Sequence, residues 1–191
     1  MNKFSTVWVS FILILSFYCF GHGLSAQVVL PDSITVSKSW TDKNGSNRLQ
    51  IKVNALCNPD RPPFDGHETR IEASLYNSKY TSVKAYNDED YQMEMIFFKE
   101  KNIWFREYSG GRAVFIPFSY CGNDDTDKKI SLIIFYGRDS YLCHIQYKCD
   151  ELGGCTINDK SGVKLQHLPV MLRKDLIKRL KTTYRNTADF N

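Results

Sequence analysis

Lys129–Cys155, KISLIIFYGRDSYLCHIQYKCDELGGC, is the stretch whose reading decides the fold. It holds two strand-like runs around a glycine-led turn and ends in a short loop between two cysteines. In the first run Ile130, Leu132, Ile134 and Tyr136 share one face, and Ile133 and Phe135 lie on the other. Successive side chains of a strand point to opposite faces, so apolar residues at both parities predict a strand covered on both sides. Gly137-Arg138-Asp139-Ser140 supplies the turn, because Gly permits positive φ and Asp and Ser bond back to the backbone. In the second run Tyr141, Cys143, Ile145, Tyr147 and Cys149 alternate with Leu142, His144, Gln146 and Lys148, which predicts one packed face and one mostly wet face.

The same period of two runs upstream. Ile34, Val36 and Trp40 alternate with Ser33, Thr35 and Ser37, and Asn44-Gly45 then marks a hairpin. Leu49, Ile51, Val53 and Ala55 line one face of the returning strand. Three prolines and two aspartates make Cys57–Gly66 a loop. Further runs follow over Thr69–Tyr76, Tyr80–Tyr86, Tyr91–Phe98, Ile103–Tyr108 and Ala113–Tyr120. Pro117 assigns the last of these to an edge or a bulge, since Pro cannot donate to a ladder. About nine strand candidates joined by short turns predict a mainly β domain of α+β class: an antiparallel meander, sandwich or open barrel. The period changes over Leu168–Tyr184, where Leu172, Leu176 and Leu180 recur every four residues and Pro169 suits a first turn. This predicts a C-terminal amphipathic helix over 168–184 with Arg173, Lys174, Lys178, Arg179 and Lys181 outside.

Residues 1–26 read differently from the rest. Lys3 is the one charged side chain, Val7–Phe20 is apolar apart from two serines, and small residues lead to Ala26. This is the pattern of a secretory signal peptide, leaving a single domain over 27–191 in the periplasm, the cell envelope or the medium. An uncleaved anchor would need an apolar run of about 20 residues. Removal of Lys3 lowers the net charge of +4 by one, a balance too mild for nucleic acid.

Of six cysteines, Cys57, Cys121, Cys143, Cys149 and Cys155 lie beyond the signal, where oxidising conditions favour disulfides. Cys143 and Cys149 share one strand and stand about 20 Å apart by strand rise, so they cannot pair. Cys149 and Cys155 enclose a flexible five-residue loop, Asp150–Gly154, that can turn back, which predicts their bond. Cys57 and Cys121 both fall in apparent loops and form the expected second pair, leaving Cys143 a buried thiol. Cys121–Cys143 is the competing arrangement.

Chemistry-bearing motifs are scarce. No paired metal-ligand spacing, nucleophile elbow or phosphate loop occurs, so no cofactor or resident metal is expected. Cys143 and His144 are adjacent in a strand and point to opposite faces, so they cannot act as nucleophile and base. Two acidic clusters remain, Asp88-Glu89-Asp90 and Asp124-Asp125-Thr126-Asp127. Asp124, Asp125 and Asp127 have alternating oxygen ligands that could hold Ca²⁺, without the Gly and Glu of an EF-hand loop. Trp40 and Trp104 with the tyrosines suit either the core or a sugar-stacking platform.

The export signal ending in Leu24-Ser25-Ala26-Gln27, the run Trp40-Thr41-Asp42-Lys43-Asn44-Gly45 and the strand pair of Lys129–Lys148 together resemble the exported proteins of uncharacterised role common in Bacteroidetes. The resemblance implies a periplasmic or surface setting and transfers no catalytic residue. The expectation is therefore an exported interaction protein with a protein or glycan partner. A membrane-surface contact would run through the basic helix. The alternatives are a secreted hydrolase of glycans working through two carboxylates, and an inhibitor or immunity-type protein that plugs a partner's site through Asn58–Gly66.

Overall fold

The alternating runs build two antiparallel sheets, and the C-terminal helix adds a third layer. A computed structural model describes residues 33–57, 69–87, 95–121, 128–158 and 165–190. All belong to one folding unit, Pro31–Asn191; the other unit, Met1–Leu30, holds none of them, so the signal-peptide reading lies outside the described residues.

The first sheet is a four-stranded meander of β1 (Ser33–Asp42), β2 (Gly45–Asn54), β3 (Arg70–Asn77) and β4 (Tyr80–Asn87), paired in chain order. The second comprises β5 (Met95–Phe97), β6 (Trp104–Tyr108), β7 (Gly111–Cys121), β8 (Lys128–Tyr136), β9 (Asp139–Cys149) and β10 (Cys155–Ile157). Its order is β10-β9-β8-β7, and β5 and β6 share the far side of β7. The helix α1 (Val170–Thr183) follows, slightly shorter at both ends than its apolar period. Among the described residues no helix is long and apolar enough to cross a membrane.

The architecture is thus a sandwich with one covered outer face, and β8 shows why. Ile133 and Phe135 pack with Leu49, Ile51, Val53, Ile71 and Ala73 between the two sheets. Ile130, Leu132 and Ile134 pack with Leu172, Leu176 and Leu180 under the helix. The doubly apolar pattern of this strand is what the three layers require. Burial of each helix leucine contributes about 2 kcal/mol, and this holds the helix to the sheet. On β9, Cys143, Ile145 and Tyr147 join the helix-side core; on the other face His144 and Lys148 are exposed, Gln146 is half-buried and Leu142 packs against the core between the sheets.

Pro117 corrects the sequence reading in an instructive way. β7 is an interior strand, paired with β8 across Ala113–Ser119. On its other side β6 pairs with Gly111–Phe115 and β5 with Ser119–Cys121, so residues 116–118 face a gap. The missing N–H of Pro117 falls in that gap, and the strand is an edge only there. Of the run Tyr91–Phe98, the described strand is Met95–Phe97; residues 91–94 lie outside the described ones. β10 is too short to show a period.

Cys57–Cys121 and Cys149–Cys155 are disulfides, and Cys143 is free and buried. The first ties the exit of β2 to the end of β7. At the opposite end of the sandwich the hairpin tips interlock: Lys43 Nζ donates to the Ser109 carbonyl and Asn44 Nδ2 to that of Gly110. Gly111 adopts φ +132°, and a Cβ there would strike the Asn44 amide.

Candidate functional site

The edge of the second sheet formed by β5 and β6 gathers aromatic rings and cations. Trp104 points toward the helix layer and stacks on Phe115, with ring centroids 4.8 Å apart and planes 4° from parallel. The Arg179 guanidinium lies over the indole at 4.4 Å from its centroid. Phe105 points the opposite way, meets Trp40 edge-on at 5.0 Å and has Arg112 at 5.9 Å from its centroid. On β5, Lys99 Nζ stands 4.5 Å from the Phe97 ring. Such contacts favour a flat, partly desolvated surface, and a stacked guanidinium keeps its planar N–H fork for an anion.

Ionic contacts set the shape of this edge. Arg106 pairs with Asp175 at 3.3 Å, and the Tyr108 hydroxyl donates to the same carboxylate at 2.9 Å. Burial, then the bond to Asp175, raises the Tyr108 hydroxyl well above its ordinary value, so it stays a donor. Arg112 pairs with Glu107. Together β6 and α1 carry six basic and two acidic side chains. Lys174, Lys178, Arg179 and Lys181 are exposed and Arg173 is half-buried, where the helical period predicts all five outside.

A second cluster lies at the rim of the sandwich, where β4 meets β9 and His144 is exposed. His144 Nδ1 is 2.7 Å from Ser131 Oγ, which hydrogen-bonds the Tyr120 hydroxyl at 2.8 Å. The Tyr86 ring sits 5.6 Å from both the His144 and Tyr120 rings. The adjacency of Ser and His invites a nucleophilic reading, but Ser131 is fully buried, so its hydroxyl reaches no substrate. The hydroxyl orients the imidazole instead. The hairpin read from Lys129–Cys155 already brings Ser131 beside His144, and only the pairing of β7 with β8 adds Tyr120.

On the helix side, Cys143 Sγ stands 3.8 Å from Nε2 of His167, whose ring lies 6.0 Å from that of Tyr141. The pair resembles a thiol and its base, but burial pushes the Cys143 thiol up to about 12. Cys143 is 2% exposed and packs in the helix-side core, so its thiol meets no substrate. A cleft lined by Lys99, Asn102, Ser119, Tyr184 and Asp189 has about 20 Å³ of room, enough for one water molecule.

Asp88, Glu89 and Asp90, the calcium candidates Asp124, Asp125 and Asp127, and the loop Asn58–Gly66 all lie outside the described residues. Among the described residues no cluster of three metal-ligating side chains occurs. Comparison with known protein families, with characterised proteins and with solved structures finds no match.

Proposed function

We propose that the chain is an exported binding protein that meets its partner through the β5–β6 edge and the adjoining face of α1. The observation that carries this reading is the pairing of rings with cations there: Trp104 with Arg179, Phe105 with Arg112, Phe97 with Lys99. Tryptophan, tyrosine and arginine are the side chains that concentrate binding energy at interfaces, because each combines a large flat area with a polar handle. Excess positive charge on β6 and α1 suits a partner bearing carboxylate or sulfate groups. The two disulfides suit an oxidising compartment, as export to the periplasm, envelope or medium requires.

The chain reports on this surface itself. Of its three tryptophans, Trp104 stands on this edge and Trp40, on β1, packs against its Phe105. Titration of the purified protein with heparin and with polygalacturonate should change tryptophan emission. Binding should weaken as salt is added, and Arg179→Ala should lower affinity about fivefold or more. Emission that stays flat with both polymers overturns the assignment of an anionic partner to this edge.

A further inference from the structure

The loop Asp150–Gly154 is bonded from end to end. The Cys149–Cys155 disulfide closes it. Asp150 N–H donates to the Gly154 carbonyl at 2.8 Å, and Gly153 N–H donates to the Asp150 carbonyl at 3.0 Å. The Asp150 carboxylate accepts from the backbone N–H of Leu152 at 3.0 Å and of Gly154 at 2.8 Å. The C-terminal segment holds the loop from outside: Thr187 N–H donates to the Gly153 carbonyl at 2.9 Å, and Cys155 N–H to that of Arg185. Gly153 adopts φ +84°, and a Cβ on Gly154 would come within 2.8 Å of the Asp150 carboxylate. At the tip Leu152 is 97% exposed.

A single exposed apolar side chain is ordinary on a protein surface. What sets Leu152 apart is the frame that presents it. A disulfide, two glycines and a buttressing carboxylate hold five residues in one conformation, with the largest apolar side chain of the loop outward. Binding by a segment already fixed in its bound shape avoids the ordering entropy that a mobile loop would lose.

We propose that Leu152 is the anchor of a protein-docking knob. It enters a leucine-sized apolar pocket on a partner protein whose rim carries positive charge facing Glu151. This rests on the reading of the chain as a binding protein and adds a second contact, on the sheet edge opposite the aromatic one. A lipid bilayer is the poorer occupant. Burial of one leucine favours transfer only about thirtyfold, and an acyl chain many times larger holds a protein to a membrane only marginally. Asp150 and Glu151 would also face anionic headgroups with like charge.

The test uses the full chain in the cells that export it, carrying a photoactivated benzophenone side chain at position 152 and, separately, at positions 83 and 105. Position 83 is an exposed control on the first sheet, and 105 lies on the aromatic edge. Position 152 should crosslink one protein that 83 does not. That protein, purified, should bind the Leu152→Ala chain about thirtyfold more weakly than wild type and the Leu152→Asp chain more weakly still. The melting temperatures should match wild type. Affinity within threefold of wild type overturns the knob, and so does a crosslink from 152 to lipid alone or to nothing. Crosslinks from 105 without any from 152 leave the binding reading standing and remove the knob. Silence at both positions removes both.

Discussion

The two edges of the second sheet solve the exposure of apolar side chains in opposite ways. At the β5–β6 edge a cation covers each of three rings, and Trp104 meets both Phe115 and Arg179. At the β10 edge a leucine stands bare on a loop whose backbone is tied at every turn. On the first edge the side chains hold one another, so any contact surface is also part of the fold. On the second the backbone carries the rigidity, and the exposed side chain is free of structural duty. Sheet edges attract unwanted strands; at the first edge β5 and β6 leave a gap along β7, and at the second the Cys155 N–H is taken by the Arg185 carbonyl.

That difference makes three stability measurements informative, each by chemical denaturation with a fluorescence or circular-dichroism readout. Trp104→Ala removes the stack on Phe115 and the seat of Arg179, and it should destabilise by about 3 kcal/mol. A loss below about 1 kcal/mol would show that the ring is a surface feature and that the first edge resembles the second. Replacing Cys149 and Cys155 together by serine opens a loop of sequence separation 6 and should cost about 2 kcal/mol through loop-closure entropy. If stability is unchanged, the hydrogen bonds of Asp150 suffice and the disulfide is not what makes the loop rigid. Leu152→Ser should move stability by less than about 0.5 kcal/mol, because the side chain touches little of the fold. A loss above about 1.5 kcal/mol would mean that Leu152 packs in solution and is no docking group.

Much of the architecture was legible because strands and helices impose different periods. Ile133 and Phe135 against Ile130, Leu132 and Ile134 announced a strand covered on both faces, and the two cores use that division. Leu172, Leu176 and Leu180 announced the buried side of the helix. Pro117 was legible only as a conflict. A proline denies a strand one hydrogen bond, and whether that makes an edge depends on what lies beside it, which here is the gap between β5 and β6. β10, three residues long, acquires its identity from pairing with β9 rather than from a pattern.

The candidate sites were far less legible, for the same physical reason. Arg179 meets Trp104 and His167 meets Cys143 across separate elements, and Ser131 meets His144 through the register of β8 with β9. No local spacing encodes such contacts, because they depend on register and on how layers cross. By itself the sequence determined most of the strands, the helix and its buried stripe, the impossibility of a Cys143–His144 pair, and the short reach between Cys149 and Cys155. Those are local matters of chain geometry and side-chain parity. Tertiary structure decided the sandwich of two sheets, the covering of rings by cations, the inert burial of Cys143 and the bare leucine on its fixed loop. Each depends on which surfaces are taken out of water, and that is settled only when the layers close.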